Sequence, residues 1–277
     1  MRASNRAAQA GVYLVLILGC AMSLLPLFWM VRSSLMGMAQ IFVVPPIWIP
    51  NPVRWQNYAQ ALSALPFGTY FKNSLFVTAF VVAGTVVTGS ICAYSFARIR
   101  WKGRGLLFSL IISSMMLPPA VTLIPLFLQW NALKLTNSYV PLIAPAWFGG
   151  GAYYIFLLRQ FYMGIPRELD ESARIDGAGH FKIYARIILP LTKPAMIVVG
   201  LFAFLNCWND FLQPLVYLND TDRYTVALGL QLFIGSYRTD WHLLMAAACV
   251  AILPVIAVFL AGQRYFIEGI TLTGIKG

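Results

Sequence analysis

Six stretches of this chain are each apolar enough to cross a bilayer, at about residues 11–31, 74–97, 106–130, 138–158, 194–215 and 243–263. A hydrocarbon core of about 30 Å needs roughly 20 apolar residues in a helix. Two of the stretches contain "LFVTAFVVAGTVVTGSICAYSFA" and "LLFSLIISSMMLPPAVTLIPLFLQW", which hold no charged residue at all until they end. Lipid offers the backbone no hydrogen-bond partner, so stretches of this kind fold as helices. The expectation is an all-α membrane protein of six transmembrane helices, forming a single membrane domain over residues 1–277. With 10% charged residues and a mean hydropathy of +0.73, the chain is too oily for a soluble domain. The first stretch is longer than the roughly 7–15 residues of a signal-peptide core and runs into bulky "FWMVRSSLM", so it is expected to be kept.

Charge sets the orientation. With the N-terminus assigned to the cytoplasm, segments 1–10, 98–105, 159–193 and 264–277 fall inside and hold 14 of the 20 Lys and Arg. That bias predicts both termini in the cytoplasm. It also accounts for the net charge of +11 without a nucleic-acid partner. The surroundings are membrane lipid.

Within the spans, Thr85, Gly89, Ala93 and Ala97 form a stripe of small residues that admits a close helix neighbour. Pro118, Pro119 and Pro125 interrupt the third span; Pro141, Pro145 and the run Gly149, Gly150, Gly151 interrupt the fourth. Broken helices are tolerated in membranes where they line a wet cavity or are buried in protein. The loop 32–73 carries "VPPIWIPNPVRWQNY", whose prolines favour extended backbone. Its Trp48, Trp55 and Tyr58 suit interfacial anchoring, or a platform for a sugar or an external partner. Cys20, Cys92, Cys207 and Cys249 lie in four different spans without C-x-x-C spacing, so they read as buried small hydrophobes with no metal site or disulfide. The chain has no phosphate-binding G-x-x-x-x-G-K-[ST], no H-E-x-x-H and no G-x-S-x-G. No catalytic residue is expected, and any ATP must be bound by another chain.

Of only nine acidic residues, four (Glu168, Asp170, Glu171 and Asp176) gather on one polar island between the fourth and fifth spans, about 159–193. "IPRELDESARIDGAG" predicts a short helix, with Pro166 in its first turn and acids at its positive end. Gly177 is expected to end it in a left-handed conformation. A second short helix is expected to bury Phe181, Tyr184, Ala185 and Ile188 on one face, before Pro190 and Pro194 lead back into the membrane. An exposed helical knob of this kind suits a groove on a soluble partner.

"ESARIDGA" followed by "RIILPLTKP" resembles the EAA motif of inner-membrane permease subunits of ABC importers. "RWQNY", "FKNSLFVT", "YSFARIRWKGR", "CWNDFLQPL" and "QRYFIEGITLTGIKG" are similar to carbohydrate-uptake permeases, above all the shorter permease of maltose-type systems. The resemblance implies coupling helices that dock on a separate ATPase through Glu171, Ser172, Ala173, Asp176, Gly177, Ala178, Leu189 and Pro190. Ser172 departs from the motif, which has Ala there. It further implies a bacterial or archaeal cell inner membrane, and one half of a heterodimeric path with a second permease. Two ATPase subunits holding ATP and Mg and an extracytoplasmic solute-binding protein complete the complex. The cargo would be a sugar, oligosaccharide or related polyol. The alternative is a stand-alone secondary transporter driven by an ion gradient. That class favours ionisable groups at mid-membrane, and Asp210 is the one candidate here.

The substrate path is expected beside the fifth span, at "FAFLNCWND". Counting about 1.5 Å per residue from Pro194 puts Asn206 about 18 Å in and Asp210 about 24 Å in. An amide at mid-core needs a neighbour or a wet cavity, so Asn206 or Asn209 is expected to face the path, with Asp210 at its outer gate. Phe202, Phe204 and Trp208 would add aromatic faces. The tail 269–277 is expected to contact the ATPase.

Overall fold

The computed structural model describes residues 2–235 and 239–274, the last three residues of the tail lying outside that range. In chain order the helices are α1 (Arg2–Ser34), α2 (Met38–Ile41), α3 (Gln56–Ala64), α4 (Phe67–Arg98), α5 (Arg104–Ser114) and α6 (Pro119–Ala132). They continue with α7 (Val140–Trp147), α8 (Ala152–Met163), α9 (Glu168–Ile175), α10 (His180–Ile183), α11 (Leu189–Leu191) and α12 (Lys193–Trp208). The last are α13 (Leu212–Tyr217), α14 (Val226–Gln231), α15 (Trp241–Ala251) and α16 (Leu253–Gly274). Among the described residues the sole β pairing is an isolated bridge, Ile234 with Thr239.

Four helical segments are long and apolar enough to cross a membrane: Gly11–Ser34, Phe67–Arg98, Val140–Met163 and Trp241–Tyr265. Two more qualify only as bent pairs. Arg104–Ser114 and Pro119–Ala132 meet at 101°, and His180–Leu191 and Lys193–Trp208 at 77°. The third expected span is thus broken where Pro118 and Pro119 fall. Pro125, expected to interrupt as well, is carried inside α6. The fifth ends at Trp208 rather than near 215.

The chain divides into two compact units. In the first, residues 1–67 and 230–253, α15 packs on α1 and α3. Ala61, Ala246 and Ala247 are fully buried. Asn57, also buried, closes the end of α1 by donating to the Ser34 and Met36 carbonyls at 2.7 and 2.8 Å. The proline-rich segment after α2 is non-helical, as its composition requires. Trp48 and Trp55 are exposed, and Tyr58 is half-buried under a stack with Trp55.

The second unit, residues 68–229 and 254–277, is built around α4. The small-residue stripe is buried throughout. Opposite it, Gly149, Gly150 and Gly151 take φ of 100°, 73° and 102° and break the fourth span between α7 and α8. A Cβ on Gly150 would sit 2.7 Å from the Thr85 carbonyl oxygen, so only glycine permits this approach. The four thiols are free, and none is fully buried: Cys20 is exposed on α1 and the others are half-buried. A lipid-facing helix leaves a small apolar side chain outside the protein core without penalty.

Candidate functional site

The polar island is a folded platform rather than a loop. Helix α9 begins with Glu168, Asp170 and Glu171 in its first turn. It ends with the Gly177 N–H bonded to the Arg174 carbonyl and the Ala178 N–H to that of Ala173. These two bonds form a Schellman cap, and Gly177 at φ 75° is its left-handed residue, as the sequence predicted. Ala173 and Ala178, the residues whose contact accompanies such a cap, both belong to the core built on α4, α8 and α12.

The second helix departs from expectation. It is a short α10, then a π-turn over Tyr184–Ile188, then α11. Pro190 has no N–H to offer the Arg186 carbonyl and its ring crowds that oxygen, so the turn ahead of it widens. Five-residue spacing then aligns one face, and Ile183 and Ile188 are buried with Tyr184. Phe181, expected in that face, is 81% exposed.

A residue pair absent from the sequence reading holds the platform. Arg98, the last residue of α4, donates to Asp170 Oδ1 at 2.9 Å, with both side chains almost wholly out of solvent. The same guanidinium reaches the carbonyls of Tyr162 (3.3 Å), Ile165 (2.7 Å) and Pro166 (3.0 Å). One side chain therefore joins the end of α4, the end of α8 and the start of α9. Tyr94 adds a bond from its hydroxyl to the His180 carbonyl. The available sequence signal was Asp170 itself, an acid on the side of α9 that Ala173 turns toward the core. Of the candidate coupling residues, Glu171, Ser172, Asp176, Gly177 and Pro190 are exposed, Ala178 and Leu189 half-buried, and Ala173 buried.

The second polar place is a cavity of about 240 Å³ bounded by α4, α7, the glycine break and α12. Asn206 and Asp210 both line it, together with Tyr154, Thr85 and Gln213. Asn206 Nδ2 donates to the Tyr154 hydroxyl at 2.9 Å. Asp210 Oδ1 accepts from the Gln213 N–H at 3.2 Å, just where α12 gives way to α13. Asn209 turns its amide back to the Leu205 carbonyl and is outside the lining. Trp208 is 4% exposed, stacked on Phe204 and edge-on to Phe71. Tyr154, rather than the expected Phe202, Phe204 or Trp208, is the aromatic residue in the wall. Among the described residues, no group of three or more His, Cys, Asp or Glu could hold a metal ion.

Residues 85–271, which carry both places, match the family described as binding-protein-dependent transport system inner membrane component. The chain belongs to this family. It is 32% identical to the probable ABC transporter permease protein YurM of Bacillus subtilis, over 97% of this chain and 89% of that protein. It is 37% identical to the arabinooligosaccharides transport system permease protein AraQ of the same organism, over 82% and 81%. With the sn-glycerol-3-phosphate transport system permease protein UgpE of Yersinia enterocolitica it shares 32% identity, over 96% and 97%. Its fold is that of a chain in the crystal structure of a bacterial ABC transporter involved in the import of the acidic polysaccharide alginate. The TM-score is 0.82 at 23% identity, with 95% of this chain and 98% of the other covered.

As an ABC importer permease subunit this is a multi-pass inner-membrane protein and not an enzyme; ATP is used by partner ATPase subunits.

Proposed function

We propose that this permease forms one half of a heterodimeric path importing a sugar, oligosaccharide or related polyol. Two ATPase subunits lie on the side of the polar island and a solute-binding protein delivers cargo on the other. Six spans, counting each bent pair as one, leave both termini in the cytoplasm, in keeping with the Lys and Arg bias. Glu171, Ser172, Asp176 and Gly177 present the coupling surface, with Ala173, Ala178, Leu189 and Pro190 as its support. Asn206 and Asp210 face the cargo.

The observation that carries the reading is the clamp. A moving ATPase can drive a membrane helix only through a stiff connection, and four bonds from one buried guanidinium provide it. The cargo class draws on the relatives, two of which are described as handling arabinooligosaccharides and sn-glycerol-3-phosphate. It also fits a cavity whose largely apolar wall carries the Tyr154 hydroxyl and the Asn206 and Gln213 amides. An ion-driven transporter working alone is the weaker reading, since the capped island would then have nothing to grip.

The test combines capture and topology. The detergent-purified permease pair should retain its ATPase subunits. In intact cells, and in a background lacking the native cysteines, single cysteines at Ser63 and Thr239 should react with an impermeant thiol reagent. One at Ser172 should stay silent. External labelling at 172, or a complex that transports with no ATPase attached, would overturn the proposal.

A further inference from the structure

Beside α9 lies a polar cleft of about 310 Å³, closed on its other side by the end of α4. Four guanidinium groups and two carboxylates line it, a balance of +2 with His180 neutral. Arg98 and Asp170 cancel one another at 2.9 Å. What remains is Arg100, Arg167 and Arg174 against the single carboxylate of Glu171. All four side chains are exposed, and none makes an ion pair or hydrogen bond. Neighbouring arginines are occupied: Arg104 donates to the Ile99 carbonyl, and Arg159 lies 4.0 Å over the Phe108 ring.

We infer that an acidic segment of the partner ATPase subunit seats in this cleft, its carboxylates bridging Arg100, Arg167 and Arg174; this rests on the coupling reading above. Three like charges facing one concavity repel, and a carboxylate between them removes that repulsion. The planar guanidinium fork donates two parallel bonds to a carboxylate, which a lysine cannot do. The surroundings are those of a protein interface rather than a lipid site. Ile175 and Phe181, 88% and 81% exposed, directly follow the cleft residues Arg174 and His180 in sequence. Apolar anchors beside a charged rim are the usual anatomy of a protein contact. Helix α9 itself has four charged residues in eight, too polar a surface to lie among acyl chains. Docking thus has two components, apolar anchoring by the knob and charge pairing in the cleft.

The experiment measures ATPase-subunit binding to the permease pair in nanodiscs. For the wild type, binding should weaken steadily between about 0.1 M and 1 M salt, as the screening length contracts from about 10 Å to about 3 Å. The double variant Arg100→Glu/Arg167→Glu should bind about tenfold more weakly, as expected when charges at an interface rim are reversed. Its dependence on salt should invert, because the cleft then carries −2 and salt screens its repulsion of an acidic partner, whereas the neutral glutamine pair below should be nearly flat. Arg100→Gln/Arg167→Gln, with less disturbance of the fold, should fall between the two. Unchanged affinity in both variants, with salt-insensitive wild-type binding, overturns the inference. So does unchanged ATPase affinity in variants that lose a preference for phosphatidylglycerol over phosphatidylcholine discs, which makes the cleft a lipid site. Wild-type protein that captures no ATPase even at 0.1 M salt removes the coupling reading itself, whereas salt-insensitive capture removes only the cleft.

Discussion

The two polar places of this permease are built in opposite ways. At the island, the two terminal nitrogens of Arg98 reach four acceptors from three segments, its buried Nε alone having no partner, and almost none of the side chain touches solvent. At the cavity, Asn206 bonds the Tyr154 hydroxyl and stays exposed, and the Asp210 carboxylate is met by backbone N–H groups of Leu212 and Gln213 from one segment only. Under the function proposed above, the difference follows from what each place would have to do. A part that carries force has to be cross-linked, because slack absorbs motion. A part that lets a hydrated molecule pass has to leave donors and acceptors open, because a fully satisfied wall offers cargo nothing. Polarity inside a membrane therefore has two meanings, separated by counting the bonds already made.

The sharpest attempt to break this contrast is Arg98→Ala. It leaves Asp170 buried without its partner and takes the side-chain donor from three carbonyls, of which that of Tyr162 keeps a backbone N–H; removing one member of such a buried pair typically costs about 3–5 kcal/mol. The island should come loose from α4 and α8, so that protease cleavage around 166–179 rises and uptake is lost. Arg98→Lys keeps the charge but cannot reach four acceptors at once, and should recover part of the uptake. Near-normal uptake by Arg98→Ala would erase the distinction between a stiff site and a soft one.

Next in size is Gly177→Val. Open space surrounds the Cβ position, so no neighbour is struck and the cost comes from backbone at φ 75° alone. That strain is of order 1–3 kcal/mol for a β-branched residue. Uptake and ATPase recovery should drop sharply while the amount in the membrane holds. Gly177→Asn, which tolerates the left-handed region, should be close to wild type. Equal damage from both substitutions would mean that the bare surface of the glycine matters, not its conformation.

The smallest effect on stability, and the most specific on transport, belongs to the cavity. Asn206→Ala forfeits one partly exposed hydrogen bond, worth about 0.5–1.5 kcal/mol net. Asp210→Asn keeps the shape and an acceptor at the α12–α13 junction. At matched membrane levels and with the ATPase still bound, both should alter apparent affinity, rate or preference for cargo. Asn209→Ala, outside the cavity wall, should not. A reversed order, with Asn209→Ala the damaging change, would move the path to the other face of α12.

The island was legible in outline because capping is local chemistry. Three acids in the first turn and Gly177 at the end fix where α9 starts and stops, while Pro166, expected in that first turn, falls just ahead of the Arg167 cap. What could not be read was tertiary. Asp170 is 72 residues from Arg98, and no short-range pattern links them. α-Helical spacing points Phe181 inward, but with the π-turn ahead of Pro190 the buried face is Ile183, Tyr184 and Ile188. At the cavity, depth counting singled out Asn206, Asn209 and Asp210, of which Asn206 and Asp210 line one space. It could not supply Tyr154, which arrives from α8 once the glycine break turns that helix.

The long reach of the clamp also bears on how the chain is made. Helix α4 is complete at Arg98, but the carboxylate that neutralises this residue emerges from the ribosome 72 residues later. At about 5–20 residues per second, that is a delay of roughly 4–14 s. Throughout it the guanidinium needs water, which it has beside Arg100, Lys102 and Arg104 at the membrane edge. Helix α4 can thus enter the bilayer early with a charged foot left outside. That foot is drawn into the protein only when α8 and α9 arrive, so the polar island closes as a late step of biosynthesis.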